Sequence, residues 1–247
     1  MGLTTPAEHF VAERMARGGV GQAGVTGDPF EAFIDDWRMQ GPSLSDVTLH
    51  AQGERAGYTL ALSATGPFVL QGDEGYSVKS ASGQASHYYS QPFYGAEGVL
   101  RLPSGDVAVT GTAWLDREWS SQPLSESQDG WDWFSLNFEG GAKLMGFRLR
   151  DELAGDYTSA TWIDAGGAPT AYADGALTVT PLEEHETAGR TLPVVWRVEL
   201  PDRGLDVTAA ALNRDAWMAT AFPYWEGPVT VTGTHEGRGY LEMTGYE

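Results

Sequence analysis

Residues 84–119, QASHYYSQPFYGAEGVLRLPSGDVAVTGTAWLDREW, carry the reading on which the fold turns. Six aromatic residues and two close carboxylates, Asp116 and Glu118, fall within this stretch. Residues 98–102 and 106–119 read as paired strands joined at Pro103-Ser104-Gly105, a turn triplet. In the second of these, side chains alternate between faces, so Trp114, Asp116 and Glu118 share one side while Leu115, Arg117 and Trp119 share the other. The stretch reads as one wall of a β-barrel pocket for a bulky apolar molecule. If that face lines an apolar cavity, burial and the like-charged neighbour raise the pKa of one carboxyl, which then becomes a general acid usable near neutral pH. A solvated or salt-bridged outer face is the alternative, because alternating charge on a strand is common.

Outward from this hairpin the period stays at two. Residues 47–52 and 57–63 form a hairpin around a charged turn, and 131–138 and 143–150 form another around Glu139-Gly140-Gly141-Ala142. Further strands fit 157–163, 176–180, 194–200, 205–210, 229–234 and 239–244, the spacing of sandwiches and barrels. Residues 120–130, SSQPLSESQDG, are polar and serine-rich and read as a boundary or long loop. The first forty residues differ. Thr5-Pro6-Ala7-Glu8 has the form of a capping box that predicts a short helix with Val11 and Met15 on one face. Asp28-Pro29-Phe30-Glu31 repeats the signal, and Phe30, Phe33, Ile34 and Trp37 follow at the spacing of a second helix, although these aromatics also suit a strand.

Composition removes several function classes. Acidic residues outnumber basic ones by 34 to 15 with no basic cluster, which disfavours nucleic acid and anionic membrane surfaces as partners. The absence of cysteine rules out a disulfide and a thiolate metal site. The histidines at 9, 50, 87, 185 and 235 show no metal-ligand spacing, and no cofactor fingerprint, P-loop or Gly-x-Ser-x-Gly elbow is present. No metal and no cofactor is therefore expected. The lack of cysteine fits cytoplasm and periplasm alike; no apolar run reaches the roughly 20 residues of a membrane span, and the first residues lack the pattern of a signal peptide. His87 reads more readily as a hydrogen-bonded structural residue than as a catalyst. Trp131-Asp132-Trp133 and Tyr224-Trp225-Glu226-Gly227 are aromatic and acidic clusters that fill cores more readily than they line sites.

Several motifs, taken together and in order, resemble a known family. Lys79 with ASHYYSQP at 85–92, GTAWLDREW at 111–119, GWDWFSLNF at 130–138, LMGFRLRD at 144–151, YWEGPVTVTG at 224–233 and GRGYLEMTGY at 237–246 are similar to the lipocalin-like AttH and carotenoid 1,2-hydratase (hydroxyneurosporene synthase) family. The resemblance implies an all-β fold of two tandem lipocalin-like antiparallel barrels, residues 1–122 and 123–247. Members begin with a further aromatic segment that this sequence does not show, so the first barrel is expected to be truncated and incomplete, behind one or two short N-terminal helices. The implied ligand is a bulky hydrophobic small molecule, isoprenoid or polyketide-like. The implied chemistry is acid-catalysed hydration of a terminal isoprenoid alkene, or a cyclase reaction. Asp116 is then the expected acid and Glu118 its electrostatic partner, with Tyr88, Tyr89, Trp114, Trp131, Trp133 and Trp225 lining the pocket. A non-enzymatic carrier of apolar ligands and a secretion-associated structural β module stand as the alternatives.

Overall fold

The computed structural model describes residues 1–122 and 124–246. Among these the regular structure is strand, apart from one 3-10 turn at Pro201–Arg203. In chain order the strands are β1 (Gly2–Thr4), β2 (His9–Val11), β3 (Ala23–Gly27), β4 (Phe30–Ile34), β5 (Trp37–Ser43), β6 (Asp46–Gln52), β7 (Gly57–Ala64), β8 (Val69–Leu70), β9 (Tyr76–Val78), β10 (Ala85–Leu102) and β11 (Gly105–Trp119). There follow β12 (Gln128–Phe138), β13 (Lys143–Asp151), β14 (Tyr157–Ile163), β15 (Pro169–Tyr172), β16 (Thr178–Thr187), β17 (Arg190–Leu200), β18 (Leu205–Ala211), β19 (Trp217–Met218), β20 (Tyr224–Gly233) and β21 (Gly237–Met243). The curled antiparallel sheets have the lipocalin-like character that the motifs imply. Among the described residues no helix is long and apolar enough to cross a membrane.

The residues group into two units. The first comprises Met1–Leu3, Phe10–Pro67 and Gln91–Leu115, and its sheet runs in the order β11-β10-β7-β6-β5-β4-β3. Its core is small: Phe30, Val47, Leu62 and Tyr94 are buried, and Leu3, Phe10 and Ala56 form a separate cluster. The second comprises Thr4–His9, Phe68–Ser90 and 116–246, with its sheet in the order β15-β14-β13-β12-β21-β20-β18-β17-β16. Strands β10 and β11 contribute residues to both. The boundary expected between 122 and 123 falls at Pro123, which lies outside the described residues.

Neither N-terminal helix forms. The capping bond that announces the first is present, since Thr5 Oγ1 accepts from the Glu8 amide at 2.9 Å, but the Thr5 amide donates to the Glu8 carbonyl at 2.8 Å, the direction opposite to a helical bond. They close a turn between β1 and β2. A single helical turn is costly to nucleate, and the strand path places Phe10 in the cluster with Leu3 and Ala56. The second expected helix is the hairpin β4–β5, turned at Asp35-Asp36 with Asp35 at φ 53°, a left-handed conformation that aspartate tolerates. Alternation then decides the packing. Phe30 and Ala32 face the core, while Phe33 lies under the Arg38 guanidinium at 5.4 Å.

Two strands run past prolines at which the sequence pattern breaks. β10 is 18 residues long and continues through Pro92. Pro92 sits between Ser90, which pairs with β8, and Tyr94, which pairs with β7, where the ladder does not require its missing amide hydrogen. β16 likewise continues through Pro181, at an edge and at a register shift between Pro181 and Glu183. The glycines of the GRGY motif have a packing reason. A Cβ on Gly237 would meet the Asn137 carbonyl oxygen at 2.1 Å, and one on Gly239 the Ser135 carbonyl oxygen at 2.4 Å.

The core of the second unit is dense and mostly aliphatic, with the aromatic side chains Trp196, Trp225 and Phe134 fully buried within it. On the same inward face β12 carries Asp132, which has no solvent exposure. Its Oδ2 accepts from Arg148 Nε at 2.9 Å, and its Oδ1 accepts from Arg150 Nη1 at 2.8 Å and from the Tyr246 hydroxyl at 2.8 Å. A buried carboxylate met by so many donors is compensated for the water it gives up.

Candidate functional site

A cavity of about 310 Å³ lies in the second unit, within the size range of small-molecule sites. Strands β12, β13 and β21 form one wall, through Trp131, Trp133, Phe147, Leu149 and Glu242. Tyr88 from β10, Asp116 and Glu118 from β11, and Lys79 form the other. The period of two decides what each strand offers. In β12, Trp131 and Trp133 turn to the cavity while Asp132 and Phe134 turn to the core, so the cavity lies on the opposite face of the sheet from its packed interior. The polar segment 120–130 supplies Ser120, Gln122, Leu124 and Gln128 to the rim. It is cavity wall as well as connection.

The two carboxylates singled out from β11 do share a face, and each has its own anchor. Glu118 Oε1 forms an ion pair with Lys79 Nζ at 2.7 Å and accepts the Ser86 hydroxyl at 2.5 Å. The Lys79 ammonium also lies over the rings of Phe147 at 4.3 Å and Tyr88 at 4.9 Å. Burial pushes Lys79 below the usual lysine range, with Glu118 and Asp116 pulling it back. Asp116 Oδ1 accepts from the Ser90 hydroxyl, and Ser90 in turn accepts from Gln71 Nε2 at 2.8 Å. This chain of donors commits the Ser90 proton to Asp116. The Tyr88 hydroxyl accepts from Trp133 Nε1 at 3.2 Å and bonds Asp116. Burial first, then the charges of Asp116 and Glu118, push the Tyr88 phenol well above its ordinary range, so it stays a donor.

The aromatic residues expected in the pocket divide. Tyr88, Trp131 and Trp133 line it. Tyr89 takes the other face of β10, edge-on to Phe68 at 5.8 Å and to Trp119 at 6.2 Å. His87 lies on that face too, 5.7 Å from Trp119. Trp114 belongs to the first unit and does not line the cavity. Trp225 is part of the core, and its Nε1 donates to the Arg214 carbonyl at 3.0 Å.

Two site residues were not singled out from sequence. Lys79 stood among the family-like motifs, but its role needed Glu118 beside it. Glu242 is the third carboxyl of the cavity, and its Oε1 accepts from Trp131 Nε1 at 2.8 Å. Its cross-strand partner in the β20–β21 ladder is Glu226. Burial, then the charges of Asp116 and Glu118, push Glu242 above the usual carboxylate range despite the Trp131 hydrogen bond. Burial, followed by the charge of Glu242, pushes Glu226 up to about 7. A glutamate whose folded pKa is raised contributes stability that is complete below the unfolded value of 4.5 and is lost as pH rises through about 7. Glu226→Gln is therefore expected to stabilise the protein at pH 8 by on the order of 3 kcal/mol and to change little at pH 4, read from denaturant unfolding at both values. Equal effects at the two pH values would contradict the assignment.

Among the described residues no three His, Asp or Glu side chains are placed to hold a metal ion. The arrangement offers an apolar, aromatic wall, an ion-paired carboxylate, a hydroxyl-supported carboxylate and a third carboxyl in a low-polarity setting. Such a set can move protons at a carbon centre.

Comparison with known proteins adds the following. The family model described as AttH-like matches residues 1–246. The fold is similar to the crystal structure of a protein assigned as an AttH from Nitrosomonas europaea, with TM-score 0.80 and 34% identity, covering 88% of this chain and 70% of that one. It is also similar to kievitone hydratase from Nectria haematococca, with TM-score 0.72 and 20% identity, covering 87% of this chain and 70% of that one. No curated protein sequence matches the chain.

Proposed function

Because the chain belongs to the AttH-like family, we propose that its cavity binds a bulky, largely apolar molecule and adds water across an isoprenoid-type double bond by general acid catalysis. One observation carries the reading: Asp116, Glu118 and Glu242 face a cavity that Trp131, Trp133 and Phe147 also line. Hydration of an unactivated alkene needs a proton donor, a means to stabilise a carbocation, and a group that takes a proton from water. Carboxyl groups supply the proton transfers. Indole faces and the fixed carboxylate of Glu118 stabilise the positive charge. The likeness in fold to a protein named as a hydratase agrees with this choice.

Asp116 is assigned to proton transfer in this reaction, and Glu118, held by Lys79 and Ser86, to electrostatic support. Asp116→Asn keeps the shape and an acceptor for Ser90 but removes the titratable group. Its turnover of isoprenoid alkenes, followed by mass spectrometry, is expected to fall about a hundredfold while binding of an apolar fluorescent probe is retained. Unchanged turnover would overturn the role of Asp116. Probe binding by the wild type without product from any alkene would identify a carrier instead.

A further inference from the structure

We infer that Glu242, backed by Glu226, is the proton donor of this hydration and that Asp116 is the base that takes the proton from water. The inference rests on the hydration reading and assigns its acid and base. Hydrogen bonding sorts the carboxyls of the cavity. Glu118 is committed to the Lys79 ammonium at 2.7 Å, and the Ser86 hydroxyl adds a second donor to the same oxygen. Asp116 receives the Ser90 hydroxyl, whose direction is set by Gln71, and the Tyr88 hydroxyl. Both carboxyls thus have an oxygen already committed to donors.

Glu242 differs. The Trp131 indole occupies Oε1 and leaves Oε2 for a proton. The nearest titratable group along its own sheet is another glutamate, Glu226, directly opposite on β20, and directly opposed residues have Cβ atoms about 5 Å apart. The groups whose charge reaches Glu242 from β11 are Asp116 and Glu118, again negative. The cavity's lysine is already bound to Glu118. Glu226 has a hydrogen bond from Tyr224. Two adjacent carboxyls with further negative charge beside them retain a proton between them, because ionising both is opposed by burial and by repulsion.

The proposed reaction balances as follows. The Glu242 carboxyl gives its proton to one alkene carbon, whose new C–H bond uses the π electrons. The cationic carbon left behind faces the indoles and the Asp116 carboxylate. A water oxygen forms the C–O bond, and the proton that water loses goes to Asp116. The product has gained H and OH. Asp116 then releases its proton to solvent and Glu242 recovers one from solvent, so that both groups return to their starting states.

Two measurements test the assignment. Side-chain carboxyl NMR on 13C-glutamate-labelled wild type is expected to show a glutamate titrating near pH 7 that vanishes in Glu226→Gln, moves down in Glu242→Gln and persists in Asp116→Asn. If every glutamate titrates in the ordinary range, the proton-holding pair is wrong. In D2O, with isoprenoid alcohols as probes, reversible protonation of the alkene places deuterium in recovered substrate. Asp116→Asn is expected to lose product while still deuterating the alkene, and Glu242→Gln to lose both at least a hundredfold. Deuteration lost in Asp116→Asn but kept in Glu242→Gln would reverse the roles. Wild type that yields neither product nor deuterated alkene would sink the hydration reading, and the acid and base roles with it, while the NMR titration would still test the shared proton.

Discussion

Asp132→Ala is expected to destabilise the protein by about 3–5 kcal/mol, the cost of stranding buried charges whose partner has been removed. Arg148 and Arg150 keep only 15% and 14% of their side-chain surface exposed, so neither guanidinium can turn to water without leaving its place in the sheet. The Tyr246 hydroxyl loses its acceptor as well. Denaturant unfolding at pH 7 reads the effect. A loss below about 1 kcal/mol would mean that the two arginines are solvated after all, as surface pairs are. Asp132→Asn is expected to recover only part of the loss, since a neutral amide cannot balance two guanidiniums.

Trp225→Ala is expected to cost about 3–5 kcal/mol through the cavity it opens in a dense core. Trp225 has no exposed surface, and its indole N–H is bound to the Arg214 carbonyl. Trp133→Ala is the contrasting variant. Its ring lines the cavity proposed to bind a ligand, so the expected result is weaker binding of an apolar probe with a smaller loss of stability. Equal stability losses in the two variants would show that Trp133 is a core residue. Probe binding that survives Trp133→Ala unchanged would place the ligand elsewhere.

Trp131-Asp132-Trp133 shows how far a sequence reading reaches. The alternation of faces was legible, and it holds: the two tryptophans turn one way and the aspartate the other. Periodicity alone did not say which side would be the cavity and which the core; the family resemblance placed both tryptophans in the pocket, and both line the cavity. The Tyr224-Trp225-Glu226-Gly227 cluster has the same composition, yet its tryptophan fills the core. Helix-start signals at Thr5 and Asp28 failed for a related reason. A threonine that accepts amide hydrogens three residues on serves a tight turn as well as a helix, and only the later path of the chain separates the two.

The sequence by itself determined the all-β character, the AttH-like motifs, and the shared face of Asp116 and Glu118, because a period of two and local turn chemistry are written in neighbouring residues. The tertiary structure alone decided what those carboxylates meet. Ser86 reaches Glu118 across 32 positions, and Trp131 reaches Glu242 across 111. Burial and charge pairing depend on such distant contacts, and these, rather than residue type, separate the ion-paired carboxylate of Glu118 from Glu242, which burial pushes above the usual carboxylate range.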